Sequence, residues 1–417
     1  MEGLRARLVP MQAIVRIPSM RWYWINAVAS AFGDSLSSTA LLLVIIRETD
    51  SVASMALMSM MMAVPAILFG ILSGTLVDRW DARRTVVQSQ SVRALVILGL
   101  IYVDVGGALW FAYVLAFAQS LIGTFDDPAR ARMVRAITSG ENRLAVNSLT
   151  ASGTQIASVL GTTVAGVLIG LTDTSWMPFV LSAVMFFGGG LAFGRIGVDA
   201  APIATTGPEQ SFLTRTRVGF DTIRRSAILR GTTLSIAATS LGLGMATIAL
   251  LPLITQVLRI NEAWFGAIEA SQTSAMILAS LTIAFVANRI APRRLAVNAV
   301  LGIGIAIVLL SQVPSVWWLF PAMFLLGLLI APMGSGFNTI LQTETDLEVL
   351  GRVAATINTF AQAASLLAMA VGGVLGDVIG VRETMAVAGG LCLIAGVVTI
   401  AQFRLAPPAA DDIDAVA

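Results

Sequence analysis

The sequence predicts an all-α integral membrane protein whose twelve transmembrane helices form two pseudo-symmetric six-helix bundles. Three observations predict this. Hydrophobic residues make up 57% of the chain and charged residues only 12%, whereas soluble chains carry about a quarter charged residues. Apolar runs of some twenty residues recur along the chain, each long enough to cross a hydrocarbon core of roughly 30 Å as a helix. The two halves also echo each other: a shift of 207 positions pairs Gln155 with Gln362, Ser158 with Ser365, and Gly166, Val167 and Leu168 with Gly373, Val374 and Leu375.

Taken in order, residues 1–21 form a cytoplasmic segment whose Arg5, Arg7, Arg16 and Arg21 precede the first apolar run. That run is too long for a signal-peptide core and holds a charge halfway along, so it reads as an uncleaved first span. The first bundle, 22–196, holds spans near 22–46, 53–77, 85–103, 108–127, 144–171 and 175–195. A polar interval, 197–227, follows. It opens with Pro202, Thr205, Thr206, Gly207 and Pro208 as a linker, then sets Phe212, Leu213, Phe220 and Ile223 among Arg215, Arg217, Arg224 and Arg225. This pattern suits an amphipathic helix on the inner membrane surface, or an ordinary solvated linker helix. The second bundle, 228–404, holds spans near 228–257, 263–287, 294–312, 316–340, 353–378 and 383–403, and 405–417 is an acidic tail with Asp411, Asp412 and Asp414.

Lipid offers no water to backbone amides, and no period-two alternation marks a barrel, so the spans are helices. Arginines concentrate on one side: Arg79, Arg83 and Arg84, then Arg130, Arg132, Arg135 and Arg143, then Arg215, Arg217, Arg224 and Arg225. Arg47, Arg259 and Arg382 stand opposite. The bias predicts both termini inside; the expected location is the cell (inner) membrane of a bacterium. The chain has no histidine, and all its basic residues are arginine. The absence of histidine excludes an imidazole proton relay, metal ligand or catalytic base. The lone cysteine, Cys392, cannot make an intrachain disulfide. No cofactor is expected; nucleic-acid binding is not expected either, because the charge is sorted by membrane side rather than gathered into a patch. An enzyme would need a reactive side-chain set this composition lacks, and no G-x-x-x-x-G-K loop is present for ATP.

The stretch Gly70–Arg84, GILSGTLVDRWDARR, closes the second span with Gly74, Asp78, Arg79, Asp81, Arg83 and Arg84. Its spacing returns 210 positions on at Asn288, Arg289, Arg293 and Arg294. With twelve spans and a central linker, this loop resembles the signature of the major facilitator superfamily over almost the whole chain. Gly33-Asp34, the run Asp127-Pro128-Ala129-Arg130 with Leu144, Asn147, Ser148 and Leu149, and Gly351-Arg352-Val353 are similar to the branch containing drug, macrolide and siderophore exporters. The resemblance implies a secondary active transporter that exports an amphipathic small molecule across the bilayer as a monomer by alternating access, as a proton antiporter of the multidrug-efflux kind. Import of a small organic solute is the alternative on the same fold, and a non-transporting receptor is a third. Two features depart from the family pattern: the position of the arginine in R-x-x-Q-G of the fourth span is Gln119, and the glycine-proline signature of the fifth span is eroded between Gly161 and Gly166.

Asp34 lies about twelve residues into its span, roughly 18 Å along the helix and close to the bilayer middle. It shares a face with Asn26 and Ser30. A carboxylate at that depth is costly unless paired or protonated, which makes Asp34 the first proton-coupling candidate. Glu269, on a face with Gln272 and Thr273, is the second, with a solvated pore mouth as its alternative role. Arg93 can snorkel back to the interface, the reading its long side chain favours, or pair with an acid inside. Candidate cavity residues are Asn26, Ser30, Asn147, Gln155, Ser158, Gln272, Thr273, Asn358, Gln362 and Ser365, although small polar residues also bind helices together. The resemblance further implies a cytoplasmic gate of Gly74, Asp78, Arg79, Arg83, Arg84, Asp126, Asp127 and Arg352. In it, Asp78 docks against the start of the eleventh span, Arg83 or Arg84 reaches Asp126 or Asp127, and Asn288 and Arg289 form a weaker copy.

Overall fold

A computed structural model describes residues 17–104, 107–138, 143–172, 174–198, 212–286 and 290–405. The expected positions of Asn288 and Arg289, the acidic tail and the first half of the linker lie outside the described residues. The described residues are helical, and ten of their helices are long and apolar enough to cross a membrane. The fold is all-α, in two halves.

The chain divides into two compact units, one comprising Met1–Glu48, Met58–Gly207 and Glu262–Gly266, the other Thr49–Leu57, Pro208–Asn261 and Ala267–Ala417. The first contains helices α1 (Pro18–Thr49), most of α2 (Val52–Arg79), α3 (Ala82–Gly99), α4 (Trp110–Gly123), α5 (Asp126–Ile137), α6 (Arg143–Thr172) and α7 (Trp176–Gly194). Phe179, Phe186 and Phe193 recur every seven residues on α7 and are at most 1% exposed. Seven residues are close to two helical turns, so the three rings share one face. α7 packs against α3, and Phe193 also meets Tyr23 of α1, ring centroids 6.2 Å apart. α6 crosses α1 at Gly161, where a Cβ would lie 2.5 Å from the Phe32 carbonyl oxygen. Only glycine allows that approach, the small-residue packing that holds helices together in lipid.

The sequence places one continuous span at 108–127. The structure instead breaks the helix at Thr124 and Phe125 and restarts it at Asp126. Pro128 explains the break, since it has no N–H to offer the carbonyl four residues back, and proline is tolerated only in the first turn of a new helix. The 14-residue α4 and the 12-residue α5 are accordingly absent from the ten long apolar helices. The expected eighth span is a 24-residue helix but does not count among the ten either.

The second unit contains α8 (Phe212–Arg225), α9 (Ala227–Pro252), most of α10 (Ala263–Val286), α11 (Pro292–Ser311), α12 (Val316–Thr343), α13 (Leu347–Val378) and α14 (Val381–Leu405). A π-helical turn, Leu253–Val257, extends α9. α9 packs on α13 and α14, and α11 lies against α12 and α14. Hydroxyls tie this unit where apolar packing alone gives little direction: Thr399 donates to Ser235 at 2.6 Å with both side chains buried. The linker helix α8 rests on α13. Ile223 is buried with Leu229, Leu341, Val353 and Ile357, and a Cβ on Gly219 would lie 2.7 Å from the Arg352 carbonyl. Arg217, Arg224 and Arg225 stay exposed. The amphipathic pattern of α8 is thus used, at its described end, to dock on a helix of its own unit.

Candidate functional site: a buried carboxylate and arginine cluster

The first unit holds an open cleft of about 360 Å³ whose walls include Asp34, Ser38, Met62, Arg93, Gln119 and Asp126. α1 brings Asp34 to it by the four-residue spacing that also aligns Asn26 and Ser30. Those two do not reach the cavity. Both are 0% exposed and knit helices instead: Asn26 donates to the Gln90 side-chain oxygen at 2.9 Å and to the Gly189 carbonyl at 2.8 Å, and Ser30 accepts from Gln90 and from Arg130 at 2.7 Å each. An amide and a hydroxyl deep in lipid need partners, and the neighbouring helices supply them before any cargo can.

Arg93 is the centre of the cluster. It does not snorkel: it is 5% exposed and turned inward. One terminal nitrogen is paired with Asp34, and the other reaches Asp126 at 3.2 Å. Its guanidinium carbon lies 4.1 Å from the centre of the Phe186 ring, a cation–π contact. The Gln119 amide is assigned, from its hydrogen-bonding surroundings, with its oxygen toward Arg93, where it accepts from Nε and from the terminal nitrogen paired with Asp34 at 3.1 Å each. The glutamine that replaces the arginine expected from the family pattern is therefore a ligand of another arginine, supplied by the helix before.

Asp126 is 2% exposed. Its partners are Arg93, the Ser89 hydroxyl, which donates to it, and Arg130 one turn along at 3.6 Å. Asp126 thus turns inward to α3, whereas the expected gate has Arg83 or Arg84 reaching Asp126 or Asp127. Arg83 donates to the Ile196 carbonyl at 2.9 Å, and the Arg84 backbone N–H is capped by Asp81 at 2.7 Å. Asp127 remains exposed and lines, with Tyr23, Arg130, Arg135 and Asn147, a second cavity of about 450 Å³. Two carboxylates and two guanidiniums leave the Asp34, Arg93, Asp126 and Arg130 cluster charge-balanced. Balance matters at this depth, because removing one partner of a buried ion pair costs about 3–5 kcal/mol.

The charged loop after α2 is fixed locally by residues outside the sequence pattern. Arg132 of α5 donates to the Val77 and Trp80 carbonyls at the end of α2, a basic side chain on unpaired C-terminal carbonyls. Trp80 stacks on Phe125 with centroids 5.8 Å apart. Gly74 and Asp78 are half-buried and Arg79 is exposed.

In the second unit, Asn358 is exposed and lines a cavity of about 510 Å³ with Thr239, Ser240, Met333, Phe337 and Asn338. Among the described residues, no charged side chain borders it. Gln362 is exposed, while Ser365 sits where α9 crosses, its carbonyl 2.6 Å from a Cβ on Gly244. Glu269, Gln272 and Thr273 are half-buried neighbours on α10. Gln155 is exposed and Ser158 half-buried on α6. Arg352 is half-buried at the start of α13.

The family model described as Major Facilitator Superfamily matches residues 23–268 and 232–416. The chain belongs to the major facilitator superfamily. It is 25% identical over 392 residues to the MFS-type transporter YfiS of Bacillus subtilis, covering 90% of this chain and 91% of that one. It is 23% identical over 400 residues to the multidrug efflux pump Tap of Mycolicibacterium fortuitum, covering 91% and 94%. Among solved structures it resembles a bacterial homologue of the iron transporter ferroportin, with a TM-score of 0.75 at 14% identity over 93% of this chain and 99% of that one. It also resembles the nucleoside transporter NupG, with a TM-score of 0.68 at 12% identity over 93% and 99%. These last two likenesses concern the fold. The protein is thus a multi-pass membrane transporter of a family that handles small molecules in the bilayer, with bacterial relatives.

Proposed function

We propose that this transporter exports an amphipathic small molecule by alternating access, in exchange for protons loaded on Asp34. The observation that carries the reading is the half-exposed carboxylate of Asp34, which faces a cavity and is held by the buried Arg93. An acid that is reachable by water, yet paired to a fixed cation, can take up and give back a proton. The likeness to the multidrug efflux pump Tap supports export. The uncharged, partly apolar cavity around Asn358 suits the neutral part of such a cargo. The protein works as a monomer in the inner membrane of a bacterium with both termini in the cytoplasm, and Glu269 is the second proton candidate. The loop of Gly74, Asp78, Arg79, Arg83 and Arg84 latches the cytoplasmic side, with Asn288 and Arg289 as its weaker copy.

The test is ethidium transport in energised inverted vesicles, with Asp34→Asn alongside. The expected result is accumulation that depends on the pH gradient and is lost in the variant. Full gradient-driven transport by Asp34→Asn would refute the proton role, and uptake confined to right-side-out cells would refute export.

A further inference from the structure

Arg93 divides its guanidinium between two carboxylates of very different access. The Asp34 side chain is 50% exposed and that of Asp126 is 3% exposed. Their support also differs. Asp34 draws on Arg93, whereas Asp126 is held by Arg93, by the Ser89 hydroxyl and by Arg130. We propose that Asp126 is a positioning residue that sets how readily Asp34 takes a proton, by drawing off part of the Arg93 charge. The inference rests on the proposed proton role of Asp34.

A carboxylate that held the whole guanidinium in a dry site would keep its charge to very low pH, because an opposite charge within about 4–6 Å favours the ionised form. Sharing the cation weakens that hold. When a proton from cavity water binds a carboxylate oxygen of Asp34, the Asp34–Arg93 ion pair breaks. The guanidinium stays on Asp126 and Gln119, so no buried cation is orphaned. The cluster then changes from balanced to singly positive, and release of the proton to water restores the pair. The charged groups that bear on Asp34 are Arg93 from α3 and Asp126, Asp127 and Arg130 from α5. α2 presents Met62 and Ala66 to the cavity and α4 presents Gln119 and Ser120, all uncharged. With Asp127 counted, the charged groups lining the cavity go from a net charge of −1 to zero when Asp34 is protonated, which weakens the hold on a cationic cargo and links the proton and the cargo through one charge.

Infrared difference titration of the full-length protein in lipid reads this without knowledge of the cargo. The protonated carboxyl band that disappears in Asp34→Asn reports Asp34. In Asp126→Asn, Arg93 falls wholly to Asp34, and the midpoint of that band is expected to move to lower pH by about one unit, a tenfold loss of proton affinity. Ser89→Ala should act in the opposite direction, because Asp126, short of one donor, draws harder on Arg93; this variant also serves if Asp126→Asn does not fold. Asp126→Glu should keep the original midpoint. Unmoved midpoints in Asp126→Asn and Ser89→Ala would overturn the role of Asp126 while leaving the proton role of Asp34 intact. Absence of any titrating band assignable to Asp34 would overturn both.

Discussion

Replacing Arg93 with methionine keeps most of the apolar stem and removes the charge, so it isolates what the guanidinium contributes. Two carboxylates lose a partner. Asp34 can rehydrate, because half of its side chain already faces the cavity. Asp126 cannot: it is 2% exposed, and its remaining cation, Arg130, stands 3.6 Å away and is shared with Ser30. The cost is therefore that of one incompletely compensated buried charge, about 3 kcal/mol at the lower edge of the range for broken buried pairs. Thermal unfolding in detergent at neutral pH should show the loss. Arg93→Met combined with Asp126→Asn should recover about 1–3 kcal/mol relative to the sum of the single variants, the coupling expected of contacting residues. Additive losses would refute the idea that Arg93 stabilises the fold by compensating Asp126.

Three further outcomes follow from other parts of the molecule. Cys392 is 0% exposed and the only cysteine, so maleimide should leave the folded protein unlabelled and react fully on unfolding; rapid native labelling would contradict the packing of α14. Gly161→Leu should destabilise by about 1–3 kcal/mol through overpacking against the Phe32 carbonyl, measured as a drop in unfolding midpoint, whereas a neutral result would deny the close crossing of α1 and α6. Burial would raise the pKa of Glu262, but hydrogen bonds from Arg47 at 2.9 and 3.0 Å outweigh it and hold the carboxyl below the usual glutamate value. Its stabilisation is then present at neutral pH and fades as pH falls through the lowered value, so Glu262→Gln should lower the unfolding midpoint at pH 7 and approach the parent in strong acid.

Much of the architecture was legible because lipid imposes length and apolarity on every span. The break at Thr124 and Phe125 was less visible, since Trp110 through Phe125 reads as one apolar run and Pro128 lies past its end. In the site, the depth of Asp34 was readable from counting residues. The inward course of Arg93 was also encoded, in the stripe of Ser89, Gln90 and Arg93 at three- and four-residue spacing on α3. A snorkelling arginine needs no polar neighbours on its own face, and this one has two. Asn26 and Ser30 lay on the predicted face, but hydropathy cannot tell a cavity wall from a helix contact, and Gln90 and Gly189 decide between them. The burial of Asp126 was hard to read locally, because two of its partners, Ser89 and Arg93, come from α3, 37 and 33 positions away in sequence, and its i,i+4 partner Arg130 reads equally well as an exposed helix pair.

The substitution at Gln119 carries a lesson for how relatives of this protein are sorted. An aligned column scores it as the loss of a cation from the fourth span, and a chain so scored would be set aside as uncoupled. In space the cation has only changed its point of attachment: the α3 side chain reaches across to the α4 amide, which has become its hydrogen-bond acceptor. Genomic surveys that pair positions 93 and 119, accepting an arginine at either, would group transporters by where the positive charge sits rather than by which helix carries it.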